Sequence, residues 1–185
     1  MNKGEIPSVK ALLVLDADGK RIAARYFTND LTTTNDELAF EKKLSDKTTR
    51  TNAKSEAEIV LFDNNIAVCR NCADVWFYVL GRQSENELIL VSVLSTLCEA
   101  LNTALRTSPD KRTLMDNFDT LLLTIDELLD GGMILELDAS AIVNRVGMKG
   151  SDSAPAGAQE GNFSEQSINN MFASAREQLA RSLLK

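Results

Sequence analysis

Residues 58–80 read EIVLFDNNIAVCRNCADVWFYVL, and three strand-length segments are legible within them: Glu58 to Phe62, Asn65 to Arg70 and Val75 to Leu80. Asp63-Asn64 and Asn71 to Asp74 separate them, and such residues favour tight turns. Their apolar positions do not alternate, because Ile59 to Phe62 are consecutive, as are Val75 to Leu80. A strand that is apolar on both faces has to be covered on both. The stretch therefore predicts a sheet with helices on each side.

Working outward, Val9 to Leu15, Asp16-Ala17-Asp18-Gly19 and Lys20 to Phe27 read as a hairpin, since Asp-Gly tolerates the positive φ of a tight turn. Thr34-Asn35-Asp36-Glu37 has capping-box spacing, with the Thr34 hydroxyl expected to accept from the Glu37 amide. The helix it opens is expected to reach about Arg50, with Phe40 and Leu44 on one face and Lys42, Lys43 and Lys47 elsewhere. Downstream, Ser84-Glu85-Asn86-Glu87 repeats the box and opens a helix to about Arg106 with the stripe Leu90, Leu94, Leu97, Leu101, Leu105. Its first turns are apolar nearly all round, which predicts an end wedged between two elements. Ser108-Pro109 reads as an N-cap and first helical position. Leu114, Phe118, Leu121, Leu122, Ile125, Leu128 and Leu129 then follow at helical spacing until Gly131-Gly132. The order is β-β-α-β-β-β-α-α. Met133 to Leu137 forms a short apolar segment, and Asp138 can cap a brief helix with Ile142, Val143 and Val146.

The domain is expected to span 1–146. Residues 147–162 carry Gly147, Gly150, Pro155, Gly157 and Gly161 among Ser and Ala, the composition of a flexible linker. Residues 163–185 place Ile168, Met171, Phe172, Ala175, Leu179 and Leu183 on one helical stripe behind Ser164, an amphipathic C-terminal helix. Its Arg176, Arg181 and Lys185 stand against Glu165 and Glu177, too weak a positive balance for a typical membrane-surface helix. A protein groove suits the stripe better than lipid, and packing back on its own domain is the alternative.

Composition removes whole classes of chemistry. Among 185 residues there is no histidine, which excludes Ser-His-Asp and Cys-His nucleophile systems and His-ligated zinc within this chain. Lys plus Arg number 20 against 27 Asp plus Glu, a formal charge of −7 that disfavours a broad nucleic-acid face. Three cysteines make no disulfide framework and fit a reducing compartment. Cys69-Arg70-Asn71-Cys72 has C-x-x-C spacing, but it falls at a strand end, and only Cys98 is left as a third ligand; free thiols are expected. Neither G-x-G-x-x-G nor a P-loop is present. No cofactor, metal or catalytic residue is assigned. The uninterrupted apolar runs, Val75 to Leu80 and Leu88 to Val91, fall short of a spanning helix, so a soluble, cytosolic protein is expected.

The residues resemble those of the coatomer zeta family, small chains of the COPI vesicle coat related to the sigma chains of clathrin adaptors. The likeness is carried by Lys10 to Asp16 with Gly19 to Ile22, Phe40-Glu41-Lys42, Glu58-Ile59, and Phe77-Tyr78-Val79 leading to Glu85-Asn86-Glu87-Leu88. It continues through Asp126-Glu127, Asp130-Gly131-Gly132, Ile134-Leu135-Glu136 and Val143 to Val146. The tail segments Glu165-Gln166, Ser174 to Gln178 and Ser182 to Leu184 are zeta-like too. The resemblance implies an α+β longin-like fold: a five-stranded antiparallel sheet with one helix on one face and two on the other, plus the C-terminal helical tail. It also implies a non-enzymatic subunit held by the large gamma subunit with the remaining coatomer subunits. That coat is recruited by an Arf-family GTPase to Golgi membranes for Golgi-to-ER and intra-Golgi transport.

In longin folds the third strand lies at a sheet edge beside the first helix, and an edge strand offers unpaired backbone groups. Phe40, Leu44, Ile59 and Leu61 are therefore expected to form a gripping groove, joined by Ile168, Met171, Phe172 and Leu179 of the tail. A sigma-type clathrin adaptor chain that binds sorting signals is the alternative, and the tail argues against it. A longin-type SNARE lacks its heptad segment and anchor here, and a small hydrolase lacks a nucleophile setting.

Overall fold

The computed structural model describes residues 8–49 and 56–151. The chain opens with strands β1 (Val9–Asp16) and β2 (Arg21–Tyr26), then helix α1 (Thr34–Thr48). Strands β3 (Glu58–Phe62), β4 (Asn65–Cys72) and β5 (Val75–Arg82) follow. Antiparallel pairing places them in the order β2-β1-β5-β4-β3, so β2 and β3 are the edges. The turns explain the register. The Asp16 carboxylate accepts from the amides of Asp18 at 3.0 Å and Lys20 at 2.8 Å, while Gly19 takes φ +74°. Between β3 and β4, Asp63 and Asn64 both adopt positive φ, 44° and 60°, the type I′ geometry whose twist matches the flanking strands.

Both faces of the sheet are covered, as the unbroken apolar runs require. On one face Leu13, Leu15, Ala67, Cys69, Trp76 and Tyr78 pack under α1. On the other, Leu12, Val14, Val68, Phe77 and Val79 pack under α2 (Glu87–Leu105). Short α3 (Lys111–Asp116), α4 (Phe118–Leu128), the two-residue strands β6 (Leu129–Asp130) and β7 (Met133–Ile134), and α5 (Ala139–Ser151) complete the described chain. Helices α4 and α5 lean on α2, so this face carries the expected helices with α5 added.

The starts of α2 and α3 lie two residues later than expected, and that of α1 one earlier. The Thr33 hydroxyl, not Thr34, accepts from the Asp36 amide. Asn86, inside the Ser84 box, accepts from the Leu88 amide, and Asp110 rather than Ser108 accepts from Thr113. Each displaced cap sits within two residues of another good capping side chain, and the one whose oxygen reaches an orphan amide wins. The long run after Ser108 breaks at Asn117, whose φ −126° and ψ 44° are not helical. The start of α2 is not wedged: Leu88 is 71% exposed. With a mean hydropathy of 1.8 over an 18-residue window of its 19 residues, α2 passes for a spanning helix by length and composition, beyond what its uninterrupted runs suggested. Leu90, Val93, Leu94, Leu97 and Leu101 are nevertheless consumed by the sheet-facing core.

Helix α5 continues through Ser151, so the expected linker start at 147 falls on helix. A glycine weakens an exposed helix by about 1 kcal/mol without ending it, and Gly147 does not end this one. The rest of the expected linker and the helix at 163–185 lie outside the described residues.

Candidate functional site

The surface nominated by the sequence is the β3 edge and the helix beside it. Strand periodicity divides its residues. Val60 and Phe62 turn toward α1, where Phe62 meets Phe40 edge-on with ring centroids 5.1 Å apart. Ile59 and Leu61 turn to the opposite face, the one that carries α2, and remain 46% and 58% exposed. Leu44 is fully buried beneath α1 in the same cluster as Phe62 and Tyr78. Phe40, Leu44, Ile59 and Leu61 thus do not line one groove. Leu44 is a core residue, Phe40 is half-buried on one face, and Ile59 and Leu61 form an exposed pair on the other. Ile168, Met171, Phe172 and Leu179 lie outside the described residues.

The edge backbone is partly occupied already. Phe62 and Asn65 flank a two-residue turn and form its hydrogen-bonded pair, so the peptide groups of Ile59 and Leu61 point away from β4. The Lys47 ammonium donates to the Leu61 carbonyl and lies 5.5 Å from the Phe62 ring centroid. A lysine on an edge strand discourages another strand from pairing there. Side chains rather than backbone are what this edge offers.

Phe40 also floors an open hollow of about 270 Å³ lined by Leu31, Asp36, Ala39, Lys43 and Asp63. Three carboxylates rim it, Asp30, Asp36 and Asp63, and Lys10 closes the adjoining side by pairing with Asp30 and donating to Asn65 Oδ1 at 2.7 Å.

Two buried carboxylates hold the frame that presents these surfaces. Glu41, 1% exposed, accepts from Arg21 Nε at 3.0 Å and from the Tyr26 hydroxyl at 2.8 Å, tying edge strand β2 to α1. Burial and the neighbouring Glu41 push the Tyr26 phenol far above its ordinary value. Asp16 accepts from Lys111 Nζ at 2.8 Å, joining the β1–β2 turn to α3. Burial alone would raise its pKa, but Lys111 and the two turn amides overcome this and hold it below the usual value.

The C-x-x-C pair is separated by the same periodicity that splits β3. Three residues along a strand reverse the face, so Cys69 packs under α1 and Cys72 under α2. They cannot converge on one ion or on each other. Burial pushes the Cys69 thiol up to about 12. Cys72 instead hydrogen-bonds Cys98 of α2, which lowers the Cys72 thiol and raises that of Cys98. Among the described residues no cluster of three or more Cys, Asp or Glu is arranged to hold a metal.

The features that sequence reasoning missed are pairings between distant positions, Arg21 with Glu41 and Lys47 with Leu61, for which spacing carries no signal. The exposed alternation Met133, Leu135, Leu137 was readable as period two within the short apolar segment noted there.

The description of the family "Clathrin adaptor complex small chain" fits residues 8–153. Coatomer subunit zeta-1 of Arabidopsis thaliana is 44% identical over 97% of this chain and 98% of its own length. Human coatomer subunit zeta-2 is 39% identical over 96% of this chain and 79% of its own. Among solved structures, a chain in a homology model of the full-length AP-3 complex in a stretched open conformation superposes with a TM-score of 0.59 at 17% identity, covering 78% of this chain and 95% of that one. That last likeness speaks to the fold alone.

Proposed function

The chain belongs to the clathrin adaptor complex small chain family, among its coatomer zeta members, and from that premise we propose that it is a small structural subunit of the COPI vesicle coat, held by the large gamma subunit. The observation that carries the reading is kinship over nearly the whole length, 44% identity across 97% of this chain and 98% of the relative. A match confined to the sheet would fit any adaptor small chain; one that runs past residue 153 favours zeta over a sigma-type chain.

The chain works as a scaffold and not as an enzyme. It contains no histidine, and among the described residues the buried carboxylates Asp16 and Glu41 are tied up in structural ion pairs. Its part in the coat is to present rigid surfaces. The sheet is braced on both faces, Glu41 and Asp16 lock the β2 edge and the β1–β2 turn, and Lys47 leaves the β3 edge to bind through side chains. Ile59 and Leu61, with Phe40 from the other face, contribute to gripping the gamma subunit, and Ile168, Met171, Phe172 and Leu179 of the tail add to that grip. The assembled coat acts on the cytosolic face of Golgi membranes, recruited there through an Arf-family GTPase that contacts the coat and not necessarily this chain.

Affinity isolation of the tagged full chain from cells tests this. The reading expects the gamma subunit and its coatomer companions in stoichiometric amounts, and expects depletion of the chain to slow Golgi-to-ER retrieval. Recovery of clathrin adaptor large chains instead, with no coatomer, would overturn it.

A further inference from the structure

A row of large apolar side chains faces solvent on the flank of α2, far from the β3 edge. Met133, Leu135 and Leu137 alternate outward along one extended segment at 47%, 54% and 44% exposure, while Ile134 between them packs on the core. The segment is fixed against α2 at both ends. Ser8 bridges Met133 and its hydroxyl donates to Glu85 at 3.4 Å, just before α2; the Thr96 hydroxyl, deep in α2, donates to the Leu137 carbonyl at 3.1 Å. The lengths agree: four extended steps from Met133 to Leu137 span ~13 Å and the nine helical steps from Glu87 to Thr96 ~14 Å. The row therefore runs beside the first half of α2, from which Leu88 projects at 71% exposure. Single exposed apolar residues are ordinary, but four gathered along one ledge form a patch of the kind that marks an interaction site.

Charge names the occupant. Arg145 pairs with Glu136 at 3.5 Å, but neither α2 nor residues 129–144 contain a Lys or Arg of their own, and Glu87, Glu99, Asp130 and Asp138 leave the ledge acidic. Asp130 lies directly opposite Met133 in the β6–β7 pair, and Glu87 adjoins Leu88. An anionic lipid surface is repelled by such a ledge. A second copy would set these carboxylates against their own equivalents. An amphipathic helix with aliphatic residues flanked by lysine or arginine satisfies both the apolar row and its acidic rim.

We propose that Leu88, Met133, Leu135 and Leu137 form a docking ledge for a basic amphipathic helix of the large coat subunit. The inference rests on the coat reading above and assigns that partner a second contact, separate from Ile59 and Leu61. Gamma trunk co-expressed with the full chain is the probe, and dissociation constants are measured at low and high salt. M133Q/L135Q/L137Q should weaken the complex at least tenfold while the melting temperature of the free chain stays within about 3 °C. E87K/D130K should weaken it severalfold at low salt and flatten its salt dependence. An undiminished affinity in the triple variant overturns the ledge and leaves the coat reading standing, because wild type still binds. A fall in melting temperature with an unchanged complex would mean the row is covered within the chain itself, and a wild type of doubled mass would assign it to self-association; either overturns the proposal. A wild type that ignores the trunk removes both readings together.

Discussion

Replacing Glu41 with alanine should be among the costliest single changes available in this chain. The carboxylate is 1% exposed and takes Arg21 Nε at 3.0 Å, Arg21 NH2 at 2.6 Å and the Tyr26 hydroxyl at 2.8 Å. Removing one partner of a buried pair typically costs ~3–5 kcal/mol, because the other charge is left unpaired. Arg21 retains Glu37 at 3.0 Å and its side chain is 26% exposed, so the lower end applies, about 3 kcal/mol. For a chain of this size that is a fall of roughly 6–12 °C in melting temperature. Chemical denaturation followed by far-UV circular dichroism measures it, with Y26F and E41A/Y26F closing a double-mutant cycle. Y26F alone should cost ~1 kcal/mol, and the cycle should show coupling of similar size. A loss below ~1 kcal/mol for E41A would refute the view that this cluster holds β2 to α1.

Three further outcomes follow from the same packing. Gly132→Ala should destabilise by ~2 kcal/mol or more, since φ is +86° and a Cβ would sit 2.5 Å from the Val9 carbonyl; thermal melts measure the loss. Asp16 has a folded pKa below its ordinary 3.8, so the stability it contributes is present above that pH and is lost as pH falls through the lower folded value. Equilibrium unfolding between pH 6 and 2.5 should show that acid loss in wild type and a flatter curve in D16N. Leu44→Ala should cost ~2–5 kcal/mol as a core deletion, whereas I59S/L61S should barely move the melting temperature and should weaken the gamma complex.

The strands were readable because turn chemistry punctuates them: Asp-Gly follows β1 and Asp63-Asn64 follows β3, while β4 runs two residues past the expected end at Arg70 and turns at Ala73-Asp74. The unbroken apolar runs also announced cover on both faces. The same lack of alternation hid which β3 residues face which way. Ile59, Val60, Leu61 and Phe62 are all apolar, so nothing in their chemistry separates the buried pair from the exposed one. Phe40 and Leu44 were rightly placed on one side of α1, yet depth beneath a helix depends on the sheet it meets, and Leu44 lies wholly inside. Caps slipped because Thr33 and Thr34, or Ser84 and Asn86, are chemically interchangeable until the backbone chooses. The clamp on Glu41 draws on residues 20 and 15 positions away, beyond the reach of local pattern.

The measurement that bears most directly on the account is the native mass of the full chain co-expressed with the trunk of a coatomer gamma subunit. The account predicts a stable one-to-one heterodimer that survives size-exclusion chromatography. A chain that elutes alone at its own 20.3 kDa, with the trunk in separate fractions, would contradict it.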